Sequence, residues 1–135
     1  MWLSLLNTKE TLKFLDLAIY MVTLGGDISD AQRNLLGRIS REVGFVVNDY
    51  SFEKSDSVEE TIDFFANSNQ VVKNIVYLNL VKISLVDDLY NTTEHSFLEL
   101  LQKKFNITQT RRRELMGLAY EERDLREKAS RILKN

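Results

Sequence analysis

Residues 71–88 read VVKNIVYLNLVKISLVDD, and this stretch decides the fold. Val71, Val72, Ile75, Val76, Tyr77, Leu78, Leu80, Val81, Ile83, Leu85 and Val86 are apolar. They include i, i+3, i+4 spacings but continue almost all the way round a helical wheel. A helix on a protein surface keeps a polar face; one that is apolar on most faces is buried. The stretch is therefore expected as a central helix with the other helices packed around it. It ends in an acidic pair, Asp87 and Asp88.

Working outward, the flanking segments carry helix punctuation. Asn7 and Thr8 can cap a helix, with Glu10 at capping-box distance from Asn7. Leu12, Leu15, Ile19 and Val22 run along that helix, with Phe14, Leu17, Ala18 and Met21 broadening its apolar face. Gly25-Gly26 supplies the left-handed residues that close it. Ser29 or Asp30 caps a second helix, which buries Leu35, Leu36, Ile39 and Val43 and stops at Gly44. Residues 45–57 are the least regular. Ser57 with Glu60 makes a second capping box, opening a short helix with Val58, Ile62, Phe64 and Phe65 on its apolar side. Thr92 or Thr93 caps a helix with Phe97, Leu98, Leu101 and Phe105, and Asn106 stops it. Thr108 opens the last region, with Leu115, Leu118, Leu125, Ile132 and Leu133 at roughly helical spacing. Gly117 is expected to divide it into a short helix and a longer terminal one, whose Leu125, Ala129, Ile132 and Leu133 pack on the bundle or pair with another chain.

No segment alternates as a half-buried strand must. The expectation is an all-α fold, a single bundle of six to seven helices over residues 1–135. At that length the chain is one domain and buries roughly two thirds of its unfolded surface. The absence of Pro fits uninterrupted helices. The absence of Cys excludes disulfides, thiolate metal sites and a cysteine nucleophile, and fits a reducing cytoplasm. The first residues lack the basic region of a signal peptide. No uncharged apolar run approaches the roughly 20 residues that cross a bilayer.

The chain also repeats itself. Asp27-Ile28 lines up with Asp88-Leu89. Upstream, Phe14, Leu17 and Leu24 fall opposite Ile75, Leu78 and Leu85 without a gap. Downstream, after one extra residue, Leu35, Leu36, Ile39, Val43 and Gly44 fall opposite Phe97, Leu98, Leu101, Phe105 and Asn106. Each unit, roughly 8–44 and 69–106, is an apolar helix, an acidic turn and an amphipathic helix; 108–134 is a helical extension. A helical hairpin cannot bury its own apolar face, so two are expected to pack together. Hairpins of this form, with Leu24-Gly25-Gly26-Asp27-Ile28-Ser29-Asp30 before Leu35-Leu36 and Ile39, and Leu85-Val86-Asp87-Asp88-Leu89 before Phe97-Leu98 and Leu101, resemble the tellurite-resistance TerB-like family. The N-terminal domain of a DnaJ-type membrane co-chaperone is similar. The resemblance covers roughly residues 12–118. It implies an all-α domain linked to stress or tellurite resistance, metal-associated and acting through partners more than through catalysis.

Five carboxylates make the best candidate site: Asp27, Asp30, Asp87, Asp88 and Glu94. Hard divalent cations such as Ca²⁺, Mg²⁺ or Mn²⁺ take several oxygen ligands, and clustered carboxylates repel unless a cation or proton intervenes. The same residues also read as caps and favourable charges at helix N-termini. No EF-hand, phosphate loop or dinucleotide fingerprint is present. His95 is the single histidine, too little for a usual zinc site or a triad with organised partners.

Charge is uneven. Residues 1–100 hold 8 Lys and Arg against 15 Asp and Glu, whereas residues 101–135 hold 10 against 5. Lys103, Lys104, Arg111, Arg112 and Arg113 concentrate the positive charge. They offer an alternative reading as a nucleic-acid-binding bundle, though Glu114, Glu121, Glu122 and Asp124 dilute it. The first expectation is a non-enzymatic domain that binds a protein partner, with a cation at the paired acidic turns and no insertion into a membrane.

Overall fold

Local side-chain chemistry starts each helix. Asn7 Oδ1 accepts from the Glu10 N–H and Glu10 Oε1 from the Asn7 N–H, both at 2.8 Å, so the capping box is closed and α1 (Thr8–Thr23) begins. Ser29 Oγ accepts from the Gln32 N–H at the head of α2 (Asp30–Glu42). Ser57 Oγ accepts from the Glu60 N–H before α3 (Val58–Ala66), the cap side of the expected box. Asn69 Oδ1 caps α4 (Gln70–Ser84) at Val72. Thr108 Oγ1 caps α6 (Gln109–Lys134) at Arg111. Each bond satisfies one of the amide donors a helix start leaves without a partner. The fifth helix, α5, spans Thr92–Lys104, so Thr92 and Thr93 lie in its first turn rather than before it.

These elements belong to a computed structural model that describes residues 2–24, 26, 28–42, 57–86 and 92–135. Among the described residues, six α-helices and a short 3-10 turn at Leu3–Leu5 form a compact all-α bundle, and no strand occurs. Val43 and Gly44, with the rest of residues 43–56, lie outside them, as do the second acidic turn and Gly25.

The chain is assembled around α4, which packs against α1, α2, α3, α5 and α6. Val76, Tyr77, Leu80 and Ile83 are fully buried. Val71 departs from the expected pattern: it sits in the first turn and is 60% exposed. Three polar residues lie inside the rod. Asn79 donates to the Ile75 carbonyl at 2.8 Å, whereas Lys73 and Lys82 bury their stems. Around the rod, Phe65 of α3 meets Phe105 edge-on, and Tyr20 of α1 meets Phe97 of α5 at 5.1 Å between ring centres.

Positions paired by the internal repeat have matching burial. Leu17 and Leu78, Leu36 and Leu98, and Ile39 and Leu101 are each buried in the one core. Asn106 adopts a left-handed φ of 53°, and the Ile107 N–H reaches back to the Gln102 carbonyl, the bond pattern that closes a helix end. Gly26 takes φ 118°, a conformation glycine reaches without strain.

Gly117 does not divide the last region. α6 is one helix of 26 residues passing straight through it. A single glycine costs a helix interior only about 1 kcal/mol, and strong helix formers on both sides outweigh that. The terminal stretch is not packed as expected either. Leu115 and Ala119 are the buried residues of α6, whereas Leu125, Ile132 and Leu133 are exposed. The helix is simply longer than the bundle: at 1.5 Å per residue it spans roughly 39 Å against roughly 22 Å for α4.

Candidate functional site

The first turns of α2 and α5 meet through one buried pair. Gln32 and Glu94 are each 3% exposed, and the Gln32 amide donates to both carboxylate oxygens, at 3.2 and 3.3 Å. The two residues are 62 positions apart, the offset that aligns Leu35 with Phe97 in the repeat. Equivalent positions of the two hairpins therefore touch. A buried carboxylate at a helix start is favoured by the partial positive charge of the helix N-terminus, and here two helix starts converge on it. Serine and threonine caps alone do not reveal Gln32. Its signal in the sequence is its register: it occupies in the first unit the place Glu94 holds in the second.

The remaining carboxylates of the candidate cation site divide. Asp30 is the first residue of α2 and is exposed, with Ser29 taking the capping role beside it. Asp27, Asp87 and Asp88 lie outside the described residues. Among the described residues no group of three or more His, Cys, Asp or Glu side chains is placed to hold a metal ion. His95 lies on the exposed face of α5, with its Nε2 3.1 Å from Glu99 Oε1 one turn on.

The basic residues of the alternative reading cluster at the corner between α5 and α6 but do not present one face. Lys103, Lys104, Arg111 and Arg113 are exposed, and Arg111 lies 3.7 Å from Glu114. Arg112 is turned inward, its Nε donating to the Tyr77 hydroxyl at 3.3 Å. Burial pushes the Tyr77 pKa above the usual 10.0, and the Arg112 guanidinium partly opposes that rise. The best-placed arginine is thus engaged in holding α6 to α4.

A second polar contact joins the same two helices. Lys82 Nζ, with a side chain only 6% exposed, reaches Glu122 Oε2 at 2.8 Å. Beside it lies an open cleft of roughly 190 Å³ lined by Lys82, Leu85, Val86, Ala119, Arg123, Arg126 and Glu127. Arg33, Arg38 and Arg41 of α2 border a second, more open groove that Val86 also lines. Val86, just past the end of α4, thus lines two clefts that each carry arginines.

Beyond this cleft α6 presents a different surface. Leu118, Leu125 and Ile132 recur every seven residues, and they are 52%, 66% and 64% exposed. Seven residues are nearly two helical turns, so the three side chains form one stripe along the helix. The stripe was legible as helical spacing; its exposure was not. Compared with protein-family models, curated proteins and solved structures, the chain matches none. Among the described residues, no helix is long and apolar enough to cross a membrane.

Proposed function

We propose that this chain is a non-enzymatic helical domain that acts through protein contact, with the C-terminal half of α6 as its docking element. The observation that carries this reading is the exposed stripe of Leu118, Leu125 and Ile132 on a helix that outruns its own bundle. Leaving three large apolar side chains in water along one line forgoes roughly 1.5–3 kcal/mol for each, and a partner groove recovers it. The resemblance to TerB-like domains adds a stress-response setting and a preference for partners over catalysis.

The test is proximity labelling in cells that express the chain, compared with Leu125→Glu and with a truncation after Asp124, which keeps the Lys82–Glu122 pair. Both variants keep the α1–α5 bundle and the buried residues Leu115 and Ala119. A set of labelled neighbours present for the parent chain and lost in both variants supports the docking role. An unchanged set removes it.

A second reading is favoured by the Gln32–Glu94 contact, because it brings the starts of α2 and α5 together. In that reading a divalent cation binds where the two acidic turns lead into these helices, with Glu94 as one carboxylate. Calorimetric titration of the metal-free chain with Ca²⁺, Mn²⁺ and Zn²⁺ tests it, and heat that disappears in Glu94→Gln supports it. No heat, and no change in melting temperature, ends it.

A further inference from the structure

The partner that fits the α6 stripe is a second copy of α6, and we infer that two chains pair through these helices in antiparallel orientation about Leu125. This inference rests on the docking role given to α6 above and names its occupant. Antiparallel pairing centred on Leu125 sets Leu118 against the partner's Ile132 and Ile132 against the partner's Leu118. Leu125 meets its own equivalent on the two-fold axis.

Charge selects the orientation. Glu121 and Lys128 lie along one edge of the stripe, also seven residues apart. In an antiparallel pair related by a two-fold axis, like edges meet. Glu121 then lies within one residue, about 1.5 Å along the axis, of the partner's Lys128, and the pair occurs twice. A parallel pair instead brings opposite edges together and places Glu121 beside the partner's Glu122, where like charges repel. Glu122 is already committed to Lys82 at 2.8 Å and Arg126 at 3.6 Å, so it does not compete for Lys128.

The shape of the chain permits the pairing. The buried residues of α6, Leu115 and Ala119, lie in its first half, so the two bundles fall at opposite ends of the paired helices. The stripe is turned to the side of the face that carries Leu115 and Ala119, leaving room for a neighbouring helix. Gly117 lies on the same edge as Glu121, one turn before it, and Ala129 on the opposite edge, and both small residues allow close approach of the two backbones.

Sedimentation of the full chain over a wide concentration range tests the assignment, with two sets of variants. Reversible dimerisation is expected, weakened roughly 100-fold or more in Leu125→Glu, which removes a contact made by both copies. Glu121→Lys alone and Lys128→Glu alone should weaken it several-fold, and the double exchange should restore it. Because the chain has no cysteine, orientation is read by introduced ones. Leu118→Cys mixed with Ile132→Cys should cross-link on mild oxidation, and neither variant should cross-link to itself. A chain that stays monomeric throughout, or Leu118→Cys joining to itself, overturns the pairing. The docking role falls separately: chemical footprinting of the monomer that finds Leu118, Leu125 and Ile132 shielded removes the free stripe on which both readings stand.

Discussion

α4 and α6 are both helices with leucine and isoleucine along their length, yet one is the inside of the molecule and the other largely its outside. In α4, 15 residues long, apolar side chains cover nearly every direction, so neighbours are needed on all sides and five helices supply them. In α6 the apolar residues are fewer and split between two directions. Leu115 and Ala119 face α4, whereas Leu118, Leu125 and Ile132 are turned aside from that face and lie exposed. The contrast teaches that a leucine is placed by what lies opposite it, and that a helix longer than its bundle runs out of opposite surface.

Truncation experiments break that contrast most strongly. Leu80→Ala, at a fully buried position of α4, should cost about 2–5 kcal/mol in denaturant unfolding, because it opens a cavity on a rod with no free side. Leu125→Ala, the same chemistry on α6, should change the stability of the monomer by less than about 0.5 kcal/mol. Similar losses at both sites would show that the end of α6 is folded back onto the bundle.

The ion pair that ties the two helices gives the next effect. Glu122→Ala leaves the nearly buried Lys82 ammonium without its carboxylate and should cost roughly 1–2 kcal/mol. Lys82→Met should cost less, since its apolar stem stays in place and no charge is left behind. A larger loss in Lys82→Met than in Glu122→Ala would contradict this account.

Tyr77 sharpens the comparison through pH. Its pKa is higher in the folded chain than the ordinary 10.0, chiefly because burial penalises the phenolate. The folded state thus holds this proton more tightly than the unfolded state. The resulting stability is complete below pH 10.0 and is lost as pH rises above it through the folded value. In an ultraviolet difference titration one of the five tyrosines should ionise late. Tyr77→Phe should remove that late component, lessen the alkaline loss of stability, and cost about 1 kcal/mol at neutral pH through the lost Arg112 bond.

The smallest effect has the opposite sign. Gly117 lies inside the continuous α6 with nothing within 4 Å of where a Cβ would stand. Gly117→Ala should therefore stabilise the helix by about 0.5–1 kcal/mol, measured as a raised melting temperature. A destabilised variant would indicate a break or a close approach at this position.

Much of the fold was legible because its signals are local. Asn7 with Glu10, Ser57, Thr108 and Asn106 declare helix ends through bonds made within a few residues, and each bond is present. Residues 71–86 declared a buried helix because no orientation of so apolar a rod keeps it dry on one side only. The candidate site was less legible. Asp30 and Glu94 are both carboxylates in the first turn of a helix. One is exposed and the other sits against Gln32. Arg112 likewise looks like its neighbours in a run of three arginines, and only the passage of α4 beneath it turns it toward Tyr77.

By itself, then, the amino-acid order determined the helices, their caps and the central rod, because propensity, capping and periodicity act over a few residues. Tertiary structure alone decided which surfaces stayed in water. The meeting of Gln32 with Glu94, the inward turn of Arg112 and the bare stripe of α6 all depend on what lies across a gap in space. No periodicity within one helix carries that information.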